Sequence, residues 1–507
     1  MPGWSIGIGI LVLYLLAVLY LGYRSYRVSD HSLADHAVAR RGGFGILVLT
    51  LTYAATFHSA YALTGIVGFA YTDGVGFWVN GLYLIPPAFL FWFVGKRLWL
   101  LGKRHGYLTL GDFMSHVYGS RLVGLLVALL HTVFVVPYVT IQLTGSGYIF
   151  DTMTGGRIPF AVGAAVMLVI MVAYVIAGGL RAVAWTDTVQ GIMMFVAILG
   201  GSLYVVRETQ GSVSMAFERL REQTPEWFTL PGPAGTIDQA HWISLWIPLA
   251  LGLLLGPQLV IRIFSARSLH VLKWASVGGA VYITAIYVFT PAVAASARVL
   301  FPKTDNADQI FVNMLWDNLP VVVAALALAG GFAASMSTAD SQIHAVSSTL
   351  AVDVYEKYVN KRRDPVKTKR LMYVTHMIVG VAAYYFAITS PALLISILTV
   401  ALSGVGLLAP AVFGALYWKR STAAGAVASF VGGLAVLLLT SFVWTDPFGI
   451  GVLPGLWGLA TGTVLFVGVS LVTKPRNDVA VETQRWTSDF LARATDASKP
   501  AKATSTE

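Results

Sequence analysis

The chain has 507 residues, of which 56% are hydrophobic and only 11% charged. Soluble domains carry about 25% charged residues, so the composition excludes an ordinary soluble domain and points to a polytopic membrane protein. The net charge of +10 fits basic loops on one membrane face better than a nucleic-acid surface, and the absence of cysteine excludes disulfides and thiolate metal sites.

A spanning helix needs about 20 mostly apolar residues. Thirteen such segments are expected, numbered here as spans 0 to 12: 4–22, 44–70, 76–95, 122–150, 158–177, 183–206, 242–263, 274–299, 320–352, 371–389, 392–418, 423–443 and 454–472. The first is read as a retained span, since no basic stretch precedes it and no small-residue cleavage site follows. Basic residues fall in every second loop. Arg24, Arg27, Arg40 and Arg41 follow span 0, and Lys96, Arg97, Lys103 and Arg104 follow span 2. Arg181 follows span 4, and Arg262, Arg267 and Lys273 follow span 6. A cluster from Lys357 to Arg370 follows span 8, Lys419 and Arg420 follow span 10, and Lys474 and Arg476 follow span 12. The longest loop of the other set, 207–241, is acidic on balance. This alternation predicts an N-terminus outside and a C-terminus in the cytoplasm of a cell-membrane protein. The tail, 474–507, is expected to be a solvated polar segment, with a surface helix carrying Trp486, Phe490 and Leu491 as the alternative.

Three spans look interrupted. Span 1 holds Ala54-Ala55-Thr56-Phe57-His58-Ser59, a polar, proline-free stretch. Span 6 holds Gly252 and Gly256-Pro257-Gln258, where proline frees a carbonyl. Span 10 holds Ser403-Gly404-Val405-Gly406 and Pro410. Spans 1 and 6 are five spans apart and so run in opposite directions. Broken helices at matching places of two inverted halves point to a transporter binding site, although glycine and proline also kink ordinary membrane helices.

In span 8 the run from Gly331 to Tyr355 is rich in small and hydroxyl residues. Ala334, Ser337, Thr338 and Ser341 share one helical face. With carbonyls near Ala55 and His58, the Ala334 carbonyl and the hydroxyls of Ser337 and Thr338 offer a neutral five-oxygen cage for a hard cation such as Na⁺. Helix-to-helix hydrogen bonding explains the same stripe equally well. Asp187, at the expected start of span 5, and Asp340, beside Ser341, could serve a second cation or a proton; a helix-dipole contact is the plainer reading of Asp187. His58, His131, His344 and His376 match no metal-ligand spacing and read as packed histidines.

Three motifs resemble the sodium:solute symporter (sodium/glucose cotransporter) family. They are Ala173 to Val183 with Ala184 to Gly191, the span 8 run Ser335 to Gln342, and Pro257 with Arg262 and Phe264. The likeness covers nearly the whole chain and is strongest to monocarboxylate- and pantothenate-type members. It implies an all-helical fold of the leucine-transporter type. Residues 1–43 would be an added N-terminal span with its loop, 44–206 and 242–418 the inverted five-helix repeats, 207–241 an outer loop and 419–473 the last two spans. It implies a transporter rather than an enzyme, driven by Na⁺ as the sole metal, with a small-molecule solute and the lipid bilayer as partners, no nucleic acid, and a monomer sufficient for transport. The family's sodium site maps onto Ala55, His58, Ala334, Ser337 and Thr338, and a second one, found in some members, onto Asp187, Thr338 and Ser341. Proline carriers have an acidic residue where this chain has Phe57, and aromatics where it has Leu249 and Leu253. Both departures argue against proline. The mostly apolar lining suits a small organic acid, with Ser59, Tyr61, Thr64, Asn80, Tyr83, Gln142 and Gln258 as polar contributors. An amino-acid or sugar carrier, a proton-driven version and a membrane sensor are the competing readings. No hydrolase motif and no channel filter is present.

Overall fold

The computed structural model describes residues 3–28, 32–39, 43–360, 364–389, 393–474 and 479–496. Arg40, Arg41, Lys361, Arg362, Arg363 and Arg476 lie outside the described residues, as do the side chains of Asn80 and Tyr83. Everything described is helix and connection, with one isolated bridge between Phe44 and Ala266.

The chain opens with α1 (Gly3–Val28) and the short α2 (Leu33–Val38). Three pieces follow in place of one span: α3 (Ile46–Phe57), α4 (Ala60–Leu63) and α5 (Gly65–Asp73). Next come α6 (Val79–His105), α7 (Leu110–Val117), α8 (Arg121–Thr154) and α9 (Phe160–Met194), continued by α10 (Gly200–Gln210). The acidic loop carries α11 (Val213–Gln223). The second half holds α12 (Gln239–Leu255), α13 (Pro257–Ser265), α14 (Leu269–Tyr287), α15 (Thr290–Leu300), α16 (Ile310–Asn318) and α17 (Val321–Thr349), which a wider helical turn extends to Val359. Then come α18 (Pro365–Thr389), α19 (Leu394–Gly406), α20 (Ala409–Tyr417), α21 (Ala423–Phe442), α22 (Pro454–Val472) and α23 (Val479–Asp496).

Ten of the described helices are long and apolar enough to cross a membrane, eleven when α12 and α13, bent by 43°, count as one crossing. The difference from the expected thirteen arises in two places. The pieces replacing span 1 are each too short, and residues 160–210 form one helical run of 51 residues. That run is about two and a half times the thickness of a bilayer core, and it turns at Gly179, whose backbone (φ 59°, ψ −157°) is not helical. Glycine is required there: a Cβ would stand 2.5 Å from the His36 ring.

The buried centre is α17, whose residues from Ala327 to Thr349 are all buried. α3, α8, α9 and α13 pack around it. α12 approaches α19 so closely that a Cβ on Gly252 would lie 1.9 Å from the Leu402 carbonyl oxygen. Two of the three expected interruptions are breaks, after Phe57 and at Gly256; in span 10 the regular bonding lapses only at Leu407 and Leu408, whose backbone stays helical, so 394–417 runs as one crossing.

Another expectation is overturned. The tail is not a solvated segment up to Asp496. α23 lies against α20 and α6, with Ala480, Thr483, Gln484 and Thr487 buried. Gln484 donates to the carbonyls of Gly414 (3.2 Å) and Ala415 (3.0 Å) in the last turn of α20, where Gly414 also accepts the Trp418 N–H. The alternative reading places a helix here, but the docked face is Ala480, Thr483, Gln484 and Thr487, with Trp486 partly buried and Phe490 exposed.

Candidate functional site

The break in span 1 is made without proline. His58 (φ −89°, ψ 103°) and Ser59 (φ −98°, ψ −179°) are extended, and the Ser59 hydroxyl restarts the helix by accepting from the Tyr61 N–H at 3.2 Å. The carbonyls of Ala55 and His58 thus lose their helical partners, deep in the protein, where an unpaired carbonyl is costly. α17 answers them. The Ser337 hydroxyl lies 3.2 Å from the Ala55 oxygen and 3.1 Å from the Ala334 oxygen. The Thr338 hydroxyl lies 3.0 Å from the His58 oxygen and 3.5 Å from the Ala55 oxygen. All five residues expected from the sequence meet here, and none is exposed. Two hydroxyl hydrogens face three carbonyls, so oxygen lone pairs outnumber donors. Such a surplus fits a hard monovalent cation: each hydroxyl can turn its hydrogen away and present an oxygen.

A second cluster lies beside the first on α17, and it is charged. Arg262 on α13 is wholly buried. Its Nη2 donates to Asp187 Oδ2 at 2.7 Å and to Ser341 Oγ at 2.6 Å. Its Nη1 donates to the Gln258 carbonyl at 2.8 Å, and its Nε to the Thr52 hydroxyl at 3.0 Å. The Thr52 hydroxyl in turn donates to Asp187, whose Oδ1 has no partner among the described residues. Ser341 donates to Asp340 Oδ1 at 3.1 Å, and Tyr174 donates to Asp340 Oδ2. The predicted group of Asp187, Asp340 and Ser341 is therefore brought together, with the guanidinium bonded to Asp187 and linked to Asp340 through Ser341. Thr56 joins the clusters, bonding the Thr52 carbonyl (2.8 Å) and lying 3.4 Å from Ser341.

Two sequence readings need correction here. Arg262 is not a loop charge but the buried counter-ion of the site. Asp187 does not begin a helix: the helix resumes at Leu180 after the Gly179 turn, so the carboxylate pairs with Arg262 rather than with a helix terminus. Buried carboxylates demand a counter-charge, and Arg262, five residues after the proline break, was the available signal.

Of the polar residues expected to line a solute site, Ser59, Tyr61, Thr64 and Gln142 surround the span 1 break. The Gln142 Oε1 accepts the Ala60 N–H at 2.7 Å, and the Thr64 hydroxyl returns to the Ala60 carbonyl at 2.8 Å. Gln258 sits apart, at the start of α13, buried and with its Oε1 unpartnered among the described residues. Leu249 and Leu253 are buried on α12, and Phe57 packs edge-on to Tyr53. The His58 ring stacks on Tyr287 at 5.1 Å and bonds its own helix at the Ala54 carbonyl. His131 bonds the Leu255 carbonyl. No cluster of three metal-ligating side chains occurs among the described residues.

A helical membrane bundle with broken helices meeting over buried oxygens is the architecture of a cation-coupled solute transporter. Residues 38–433 match the model of the sodium:solute symporter family, and the chain belongs to that family. It is a sodium-coupled transporter and not an enzyme. The chain is 27% identical to the sodium/pantothenate symporter of Haemophilus influenzae over 441 residues, which are 85% of this chain and 89% of that one. The sodium/pantothenate symporter of Escherichia coli matches at 27% with 85% and 90% covered, and the Haemophilus influenzae sodium/proline symporter at 23% with 92% and 95% covered. The fold is shared with a Na⁺-coupled sialic acid symporter in a substrate-bound outward-open state (TM-score 0.73, 17% identity, 93% of this chain and 99% of that one). It is shared more distantly with Mhp1, a nucleobase-cation-symport-1 transporter (TM-score 0.59, 13% identity, 90% and 99% covered).

Proposed function

We propose that this protein drives uptake of a small organic acid, a monocarboxylate or pantothenate-like molecule, with an inward flow of Na⁺. The ion sits among the carbonyls of Ala55, His58 and Ala334 and the hydroxyls of Ser337 and Thr338. The observation that carries the reading is the meeting of two freed carbonyls of span 1 with two adjacent hydroxyls of α17. Span 1 and α17 belong to opposite halves of the chain, so binding an ion between them ties the halves together in one state and releases them in another. We take the 160–210 run as two crossings hinged at Gly179 and the α3–α5 pieces as one, which gives thirteen spans. Spans 1–5 and 6–10 are then inverted repeats, with the N-terminus outside and the C-terminus cytoplasmic.

The solute class is supported by the buried apolar side chains of Phe57, Leu249 and Leu253 and by the pantothenate symporters among the relatives. Gln142, which reaches the span 1 break from the middle of α8, and Gln258, at the span 6 break, are the polar contacts assigned to the solute. A second cation held by Asp187, Asp340 and Ser341 is the other arrangement the geometry favours, since of the two carboxylates there only Asp187 is paired directly with Arg262, and Asp340 is reached through Ser341.

The test is uptake into liposomes holding the purified protein, with labelled pyruvate, lactate, acetate, pantothenate, proline and glucose. Acid uptake that follows an imposed Na⁺ gradient is expected. Uptake of only proline or glucose would overturn the solute class, and acid uptake driven equally by a pH gradient without Na⁺ would overturn the coupling ion.

A further inference from the structure

The face carrying the basic loops holds a built pocket unrelated to the ion site. α6, starting at Val79, has covered roughly 27 Å by Lys96 and Arg97, so both cations stand at the boundary of the hydrocarbon core. The end of α20 brings Tyr417 and Lys419 beside them, and α23 closes the third side. Between these elements lies a cavity of about 240 Å³ lined by three cations, Arg97, Lys419 and Arg485, one carboxylate, Asp489, and Leu416, Tyr417, Gln484 and Ser488.

The charges in it are fixed or open. The Arg97 guanidinium lies 4.6 Å from the centre of the Tyr417 ring and donates to the Leu416 carbonyl (3.2 Å), Thr487 (3.3 Å) and Ser488 (3.3 Å). Its Nε, also buried, has no partner among the described residues. Among the described residues neither Lys419 nor Arg485 has an ion-pair partner, and both are exposed. Lys96 lies over Trp92 and Phe93, and Arg104 over Trp486 at 4.5 Å. Cations stacked on aromatic rings at a membrane boundary are the side chains that meet phospholipid headgroups. Directly on the bilayer side, Phe89 and Phe93 stand half exposed at i and i+4, a wall for an acyl chain leading into the pocket.

We propose that this pocket binds the phosphate headgroup of an anionic phospholipid, with Arg97, Lys419 and Arg485 as its cations and Phe89 and Phe93 against its chain. The lipid would fasten α23 to α6 and α20. The acyl wall favours a lipid over a soluble phosphate, which would gain nothing from it.

The experiment uses the full-length protein in phosphatidylcholine micelles with added phosphatidylglycerol, and counts retained lipids by native mass spectrometry. Preferential retention of phosphatidylglycerol is expected. Removing two cations by Lys419→Gln with Arg485→Gln should lower the phosphatidylglycerol-to-phosphatidylcholine ratio by roughly five- to thirtyfold. Arg97 is left in place because it also holds α23. Equal retention of the two lipids, or an unchanged ratio in the double variant, overturns the proposal. Should that variant fail to fold, the wild-type thermal midpoint decides: it should rise with phosphatidylglycerol and not with millimolar glycerol 3-phosphate. An equal rise with the soluble phosphate would mean a soluble anion site and would also overturn it.

Discussion

Two clusters share the centre of this transporter, about one helical turn apart on α17, and they solve burial in opposite ways. Around Ser337 and Thr338 every group is neutral, and the polar atoms are carbonyls and hydroxyls. Around Ser341 the groups are charged, and Arg262 holds Asp187 and Ser341 in one hydrogen-bonded set. A neutral cage costs little to bury and binds an ion weakly enough to let it go. A charged pair is costly to break, because each partner left alone remains in a low-dielectric interior. The first arrangement suits a site that fills and empties on every cycle, and the second suits a fastener.

The largest effect should come from splitting the fastener. Arg262→Met leaves Asp187 buried without its cation and should cost about 3–5 kcal/mol, enough to lose most folded protein. Arg262→Met with Asp187→Leu removes both charges and should recover much of that stability. Melting midpoints of the detergent-purified variants check this, and a double variant as unstable as the single one would show that Arg262 serves Asp340 as much as Asp187.

The comparison also predicts that a buried carboxylate lacking a cation is the pH-sensitive one. Asp308, in the loop before α16, is such a group: its Oδ2 accepts the Leu394 N–H at 2.9 Å at the start of α19. Burial pushes its pKa up from 3.8 to about 6, and that backbone hydrogen bond only partly opposes the shift. A raised folded pKa means stability that is full below pH 3.8 and falls as pH rises through about 6. The loss levels off near 3 kcal/mol at most, from 1.36 kcal/mol per unit. Asp308→Asn should therefore melt higher than the wild type at pH 8, while the two converge towards pH 4. Parallel melting curves across that range would place the titration elsewhere.

The difference between the clusters also decided what could be read from the chain alone. The neutral site was legible because its parts are local: a hydroxyl pair on one helix face and a proline-free polar break. Each leaves a pattern within a few residues. The charged cluster was only half legible. Asp187 and Asp340 stood out as ionisable residues in apolar spans. Their cation did not, because Arg262 lies near the end of a span, where it reads as a loop charge. Only the turn at Gly256 carries it inward. Likewise α23 was legible only as an alternative, and on the wrong face, because its buried face is Ala, Thr and Gln rather than apolar. Its Gln484 meets last-turn carbonyls of α20, a partnership that no local pattern records.

The finest distinction concerns the neutral site itself. If Ser337 and Thr338 were only helix-packing groups, removing one hydroxyl would cost a hydrogen bond of about 1 kcal/mol and leave the sodium dependence of transport untouched. If they are ligands, Thr338→Ala removes one of five oxygens. The Na⁺ concentration for half-maximal uptake should then rise by roughly tenfold, the equivalent of 1.4 kcal/mol. Thr338→Ser keeps the oxygen and should stay near wild type. Thr56→Val supplies the contrast: its hydroxyl bonds a carbonyl in the charged cluster, so its loss should lower the melting midpoint without moving the sodium curve. A sodium curve that shifts equally for Thr56→Val and Thr338→Ala would mean that the two clusters act as one site, and the division between cage and fastener would fall.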